Sequence, residues 1–278
     1  SVFIVDNDLN AEKYDKTFLV VENPAMSFIR VLDLFKSKNA LKKKGISKKA
    51  VISPKSNIGK NVYIGPNVYI EEGVLIADNV IIHPGSFIGF NSIINKNTEI
   101  CSNVSIHENV TVGENCRIDS GTVVGSEGFG IISSSDNNNY NIPHIGCVVI
   151  GNNVSIGSNC SIDRGTINNT IISEFTKLDN LIQIGHNVII GRNCLIASQV
   201  GIAGSTKIGD NVIIAGQTGI IDHINIGDNS TIAVKSCVYK SIPENSFVSG
   251  IPAINHLDKL KQDAIVKKLP SIYKNIKK

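Results

Sequence analysis

From Ile58 onward an aliphatic residue returns at every sixth position. Positions 58, 64, 70, 76, 82, 88, 94, 100, 106, 112, 118 and 124 are all Ile or Val, and the same rhythm recurs from Ile172 to Val238. A period of six matches neither the 3.6-residue helix nor the simple alternation of an ordinary strand. It matches a parallel β-solenoid, in which each hexapeptide supplies one short strand and one corner, with a single aliphatic turned inward. Three hexapeptides close a triangular coil, so residues 18 apart stack at the strand spacing of roughly 4.8 Å. Composition agrees: the 278 residues include no Trp, one Met and 24 Gly, and only 5% are aromatic, which suits a repeat core of small aliphatics.

The corners divide the rhythm into two arrays. In the first, the third residue after each of the first eleven aliphatics, Asn61 to Gly121, is Asn or Gly without exception, the residues that tolerate positive φ. In the second, Phe175, Leu181, Gln199, Ser205, Gln217, His223 and Lys235 replace them and only four Asn remain. Departure from a local structural rule points to function. Between the arrays, Gly125-Ser-Glu-Gly-Phe-Gly130 opens a polar excursion that runs to His144, and Asp163-Arg-Gly-Thr166 makes a second break. The first excursion has no βαβ setting, which rules out a dinucleotide loop. Its length suits the wall of a cleft.

The expected organisation is mostly β, with four segments. Residues 1–35 form a partial α/β module of two apolar strands, a turn at Asn23-Pro24 and a short helix. Residues 36–57 are a Lys-rich linker, 58–251 the repeat body, and 252–278 a helical tail in which Leu257, Leu260, Ala264 and Val266 cap the open coil. The chain opens on Ser rather than Met, which reads as a trimmed or incomplete chain.

Cys116, Cys160 and Cys194 each stand two residues before a repeat aliphatic, a slot otherwise held by Val, Ser or Thr. They read as buried fillers, and with no metal-type spacing among the six cysteines a reducing, cytoplasmic setting is the expectation. No signal peptide or membrane-length apolar run is seen, and no nucleic-acid or membrane partner is expected. The formal charge of +3 conceals an asymmetry. Lys36–Lys49 and Asn255–Lys278 hold seven Lys each, while the remainder carries 13 basic and 22 acidic residues. Basic flanks on an acidic body invite an acidic partner.

Two places after each aliphatic the slot is mostly polar and points outward, and there His186 stacks beneath Gly204, with Asp222 and His223 one coil further. That edge is the candidate site. A histidine of ordinary pKa near ~6.5 can take a proton from an attacking amine. A glycine N–H can approach a developing oxyanion closely. No residue of its own edge orients the His186 ring; Asp179 lies a face away and stays unassigned. His83 and His107 read as isolated structural corners.

The ordered motifs Gly125-Ser-Glu-Gly-Phe-Gly130, Ile142-Pro-His-Ile-Gly146, Ile162-Asp-Arg-Gly165, Gln183-Ile-Gly-His-Asn187, Gly201-Ile-Ala-Gly-Ser205 and Ser249-Gly-Ile-Pro252 resemble the hexapeptide-repeat acyltransferases. Within these the resemblance narrows to the UDP-3-O-acylglucosamine N-acyltransferases of lipid A (lipopolysaccharide) biosynthesis. It implies a left-handed parallel β-helix assembled as a homotrimer. It further implies transfer of an (R)-3-hydroxyacyl group from the phosphopantetheine thioester of acyl carrier protein to the 2-amine of a UDP-sugar, with no other cofactor and no metal. His186 then matches the catalytic base, Gly204 the backbone oxyanion donor, and His223 a second, substrate-binding histidine. Phe18–Pro24 resembles the end of the family's uridine-nucleotide-binding domain, whose earlier half is not in this sequence.

Three rival readings are weighed. A zinc enzyme of the carbonic-anhydrase type needs three histidine ligands, whereas this edge offers two, with His144 in a loop and His256 in the tail. A scaffold solenoid would repeat one residue type along a flat face, and here the outward positions vary. The sister UDP-N-acetylglucosamine O-acyltransferase is disfavoured by the N-terminal module and the Ser-Glu-Gly-Phe-Gly loop. The plain reading of His186 alone, a solvated corner, is reversed by the motif and its stacking on Gly204.

Overall fold

The computed structural model describes residues 1–9, 13–35 and 45–276 and divides into two units, 1–43 and 44–278. In the first, parallel strands Val2–Val5 and Thr17–Val20 pair in register and a helix follows over Pro24–Phe35. Asn23 caps that helix through Oδ1, which accepts from Met26 N–H at 3.0 Å, and Pro24 takes the first helical position, where no amide is needed. None of the helix's residues is buried, as expected of a module too small for its own core.

The second unit is the solenoid. Three sheets of ten, nine and twelve strands run along it, parallel except for the last strand of the twelve, and most strands are only two residues long. The register has a constant step: Gln183 pairs with Gly201, Gly201 with Gly219, and Gly219 with Cys237. The sixth-place aliphatics fill the interior; Ile64, Ile88, Ile106, Ile162, Ile184 and Ile232 are fully buried. Each such side chain contributes about 1.5–3 kcal/mol.

The slot two places before each aliphatic also turns inward; it is often Val, and several of the Ser, Thr and Cys residues that replace it donate to a corner carbonyl of the next coil. Thr98 Oγ1 reaches Gly113 O at 2.8 Å and Thr176 Oγ1 reaches Gly191 O at 2.8 Å. Cys116, Cys160 and Cys194 make the equivalent Sγ–H contacts at 3.0–3.1 Å to Gly151, Asp179 and Gly209. They are buried fillers, their thiols pushed up by burial, and all six cysteines are free. His83 is not isolated as expected: its Nε2 lies 2.7 Å from Glu99 Oε1.

The solenoid begins earlier than Ile58. Gly45–Ile46 pairs with Tyr63–Ile64 and Val51–Ile52 with Tyr69–Ile70, so residues 45–57, expected as linker, form the first coil. Ile46 and Ile52 stand on the six-residue grid, but their corners lack the Asn or Gly marker. Ser47 and Ser53 shape those turns instead, each hydroxyl accepting from the amide two residues on. Positions 36–44 of the expected linker lie outside the described residues.

Both interruptions leave the register intact. Ile118 pairs with Ile156, 38 residues on, so the first excursion adds a net 20 residues. Ile162 pairs with Ile184, 22 residues on, so the second adds four. The first contains an antiparallel hairpin, Ile131–Ser133 with Asn139–Asn141. At the far end an antiparallel strand, Ile254–Asn255, covers the edge of Phe247–Ser249 and extends the body past 251. His256 stacks on Phe247 at 4.1 Å and opens a helix running to Ile276, within the tail expected over 252–278. Leu257, Leu260 and Val266 on it are exposed, so the strand rather than the helix closes the coil. No described helix is long and apolar enough to cross a membrane.

Candidate active site

A cleft of about 860 Å³ lies along the ten-stranded face and its corner. Its floor is the ladder Gln183, Gly201, Gly219 and Cys237; its corner is His186, Gly204 and Asp222; its wall is Glu127, Gly128 and Phe129 of the first excursion. The excursion is therefore a cleft wall, as its length suggested. Buried Arg164 ties its start down, donating from Nε to Gly125 O at 2.7 Å and pairing with Glu108, whose carboxyl it holds below the usual range.

His186 is half-buried, and its ring is oriented by its own neighbours rather than by Asp179. Asn187 donates from Nδ2 to Asn168 O at 3.1 Å and accepts from Thr166 N–H at 2.9 Å, which fixes the amide so that Oδ1 faces His186 Nδ1 at 3.0 Å. An amide oxygen only accepts, so Nδ1 is the donor here, and Nε2, without a partner among the described residues, is the candidate base. Thr166 Oγ1 lies 3.5 Å from the same Nδ1. Asp179 instead accepts from Asn180.

Gly204 lies directly against that base: a Cβ added there would stand 2.6 Å from His186 Nε2. Its amide is also unclaimed. At the adjacent corner column a carboxylate one coil on caps the equivalent amide, Asp210 for Arg192 and Asp228 for Asp210. Asp222 holds that place above Gly204, yet among the described residues Gly204 N–H has no acceptor. A candidate base and a free donor thus share one corner.

His223 is not brought into the cleft. Its side chain is 73% exposed, 3.9 Å from Asp222 across a weak pair, and it holds the left-handed corner at φ 56°. Asp222 lines the cleft in its place. Two features escaped sequence reasoning. Gly201 and Gly219 leave a trough, since a Cβ at Gly201 would touch nothing within 4 Å and one at Gly219 only Cys237 Sγ at 3.9 Å. The signal was two glycines 18 apart in a slot that elsewhere on this face bears a side chain. Asp163 was the other, buried beside the cleft and held by Ser126 Oγ–H at 2.9 Å and Gln183 Nε2–H at 3.0 Å. Burial raises its carboxyl above the ordinary value. Among the described residues no three His, Cys, Asp or Glu groups are disposed to hold a metal ion.

The family pattern described as bacterial transferase hexapeptide (six repeats) matches residues 55–90 and 169–204. The chain is 46% identical over 156 residues to a UDP-3-O-acylglucosamine N-acyltransferase of Thermosynechococcus vestitus, covering 56% of this chain and 46% of that protein. It is 49% identical over 155 residues to the same-named protein of Cytophaga hutchinsonii, covering 55% and 44%. The chain thus spans about half the length of the curated relatives it matches. Among solved structures, a UDP-N-acetylglucosamine acyltransferase from Bacteroides fragilis aligns with TM-score 0.61 at 24% identity over 82% of this chain and 83% of that one. That likeness is one of fold. The O-acyltransferase of Moraxella catarrhalis gives 0.56 at 25%, over 82% of each chain. The body of this chain is a hexapeptide-repeat β-helix that in sequence is similar to the UDP-3-O-acylglucosamine N-acyltransferases.

Proposed function

We propose that the chain carries the acyl-transfer part of an N-acyltransferase that moves an (R)-3-hydroxyacyl group from acyl carrier protein to the 2-amine of UDP-3-O-acyl-glucosamine. The observation that carries this reading is the placing of His186 Nε2, which has no hydrogen-bond partner among the described residues, against the open N–H of Gly204. The amine nitrogen attacks the thioester carbon while its proton passes to Nε2. The carbonyl electrons move to oxygen, which the Gly204 N–H receives. The C–S bond then breaks, and the thiolate recovers the proton from His186. The trough over Gly201 and Gly219, ended by Cys237, offers an apolar bed for the acyl chain.

A homotrimer belongs to the same reading. Among the described residues the cleft has a wall on one side only, and Phe129, Ile145 and Ile167 beside it are 85%, 76% and 74% exposed. Ile145 N–H bonds Thr166 O at 2.9 Å, placing this patch next to the His186 support. A second copy would cover it and complete the cleft. His223, turned outward, is a substrate contact for its own cleft or a neighbour's. Acyl transfer to both UDP-3-O-acyl-glucosamine and UDP-N-acetylglucosamine, with a panel of hydroxyacyl carrier proteins, tests the reading. N-acylation of the first substrate is expected, and activity on the second alone would replace this reading with O-acyl transfer. Sedimentation as an active monomer at micromolar concentration would refute the trimer.

A further inference from the structure

Beside the cleft lies a ring that does not open into it. His144 is 4% exposed, and its ring meets that of His186 edge-on, with centroids 5.1 Å apart and planes at 68°. Its Nδ1 is 2.7 Å from Ile142 O. A carbonyl only accepts, so Nδ1 bears the proton and Nε2 is a bare acceptor. That nitrogen is buried and, among the described residues, has no hydrogen-bond partner. A protein interior rarely leaves such a group without cause.

The glycines of the cleft wall show where it faces. A Cβ on Gly128 would stand 2.9 Å from His144 Nε2 and 2.7 Å from His186 Cβ, and one on Gly130 2.8 Å from His144 Cε1. Gly128 therefore occupies the angle between the rings, with the His144 lone pair, the negative end of its dipole, on that side. The other ionisable groups gathered here are Asp163, from the strand Ser161–Asp163, Glu127, from the wall, and Asp222, at the corner one coil beyond Gly204. Arg164 is committed to Glu108 and Gly125.

We propose that His144 is a positioning residue of the acyl transfer, fixing the attitude of the His186 ring and favouring its imidazolium form. The inference rests on reading His186 as the base. That cation exists only between removal of the amine proton and its return to the departing thiolate, so whatever stabilises it lowers the barrier to transfer. A lone pair in a dry site acts more strongly than it would in water.

The test pairs two substitutions in the full chain. His144→Phe keeps a flat ring for the edge-on contact and removes the lone pair; His144→Gln loses the ring and keeps an acceptor. The titration of His186, followed by ring NMR without substrate, should move down by about half to one unit in His144→Phe, and kcat should fall about three- to tenfold with KM within about twofold. His144→Gln should bring both back to within about twofold of the parent. An unmoved His186 titration in His144→Phe would overturn the proposal. So would a His144→Gln variant displaced as far as His144→Phe. Should His144→Phe fail to fold, ring ¹⁵N shifts of the unaltered protein still decide, because a protonated His144 Nε2 at neutral pH contradicts the assignment. Loss of the acyl-transfer reading would remove the kinetic readout and leave the NMR displacement standing, so the two failures are distinguishable.

Discussion

The two arrays of the solenoid have one backbone and two different corner vocabularies. In the first, Asn61, Asn79, Asn97 and Asn115 hold φ of 54–60°. In the second, Phe175, Leu181, Gln199, Ser205, Gln217, His223 and Lys235 hold φ of 55–62°, the same left-handed geometry without the residue that favours it. The strand register does not change either. The corner conformation is thus set by closure of the coil and stacking on its neighbours. Asn makes it cheaper, by about 1 kcal/mol or so per residue, and does not cause it. Departures from the rule mark places where something other than corner geometry chose the side chain. They do not mark the candidate catalytic residues themselves, because His186 and Gly204 sit one place earlier.

The largest expected difference between the arrays is chemical. His186→Ala should lower kcat/KM by about 10²–10⁴ and remove an ionisation from the acid limb of its pH profile. Melting should change little, since the ring is half-buried at a corner and touches none of the aliphatic core, its one buried ring contact being His144. Retention of more than a tenth of wild-type transfer would return His186 to the status of a solvated corner. His83→Ala in the first array is the control: it should cost no activity.

Next comes Gly204→Ala, where the three atoms nearest the new methyl all belong to the His186 ring, the first at 2.6 Å. The ring must swing away, so transfer should drop about 10²-fold. Gly89→Ala in the first array meets the backbone of His107 and Glu108 at 2.7–2.8 Å, so it should destabilise the fold and leave no open donor disturbed. A Gly204 variant that melts early and transfers normally would reverse this contrast.

These contrasts show which parts of the molecule the sequence made legible. A strict period specifies the solenoid, because one slipped residue would send an inward Ile to solvent. His186 and Gly204 were legible because both sit on that grid. His144 and Asp163 belong to the interruptions, where no period says which coil a residue will meet. The first coil, 45–57, was hidden by Lys-rich corners built on Ser47 and Ser53 in place of Asn or Gly. His223 obeyed the grid as well, but the period does not say that the third corner place turns its side chain outward from its own cleft.

The corners themselves can be exchanged. Asn97→Leu would put a branched chain at φ 59° and break side-chain bonds to Asn79 and Asn115, both 3.1 Å, at a cost of about 1–2 kcal/mol. Phe175→Asn and Leu181→Asn should each gain up to about 1 kcal/mol, read as a higher urea midpoint. If the latter two stabilise the chain but weaken its self-association, the half-exposed Phe175 and Leu181 were retained for an interface. If association is untouched, the comparison reduces to drift at tolerant corners.

The smallest expected effect concerns the terminal helix, the basic counterpart of an otherwise acidic body. Of its lysines, Lys259 pairs with Asp263 and Lys261 with Asp258 at 3.2 Å, so reversing either would first disturb a local pair. Lys267 and Lys268 have no ion-pair partner among the described residues and are exposed, which leaves their charge available to an acidic carrier protein. Charge reversal at both should raise the carrier-protein KM about three- to fivefold at low salt, with the UDP-sugar KM unmoved. An exposed charge acts over a Debye length of about 8 Å at physiological ionic strength, so the gap between variant and parent should close as salt rises. The same reversal at Lys259 and Lys261 should give less, because each variant also releases an aspartate. A carrier-protein KM indifferent to all four charges across the salt range would detach the helix from docking and leave His256, stacked on Phe247 and bonded to Ser249 at 3.0 Å, as its anchor to the last coil.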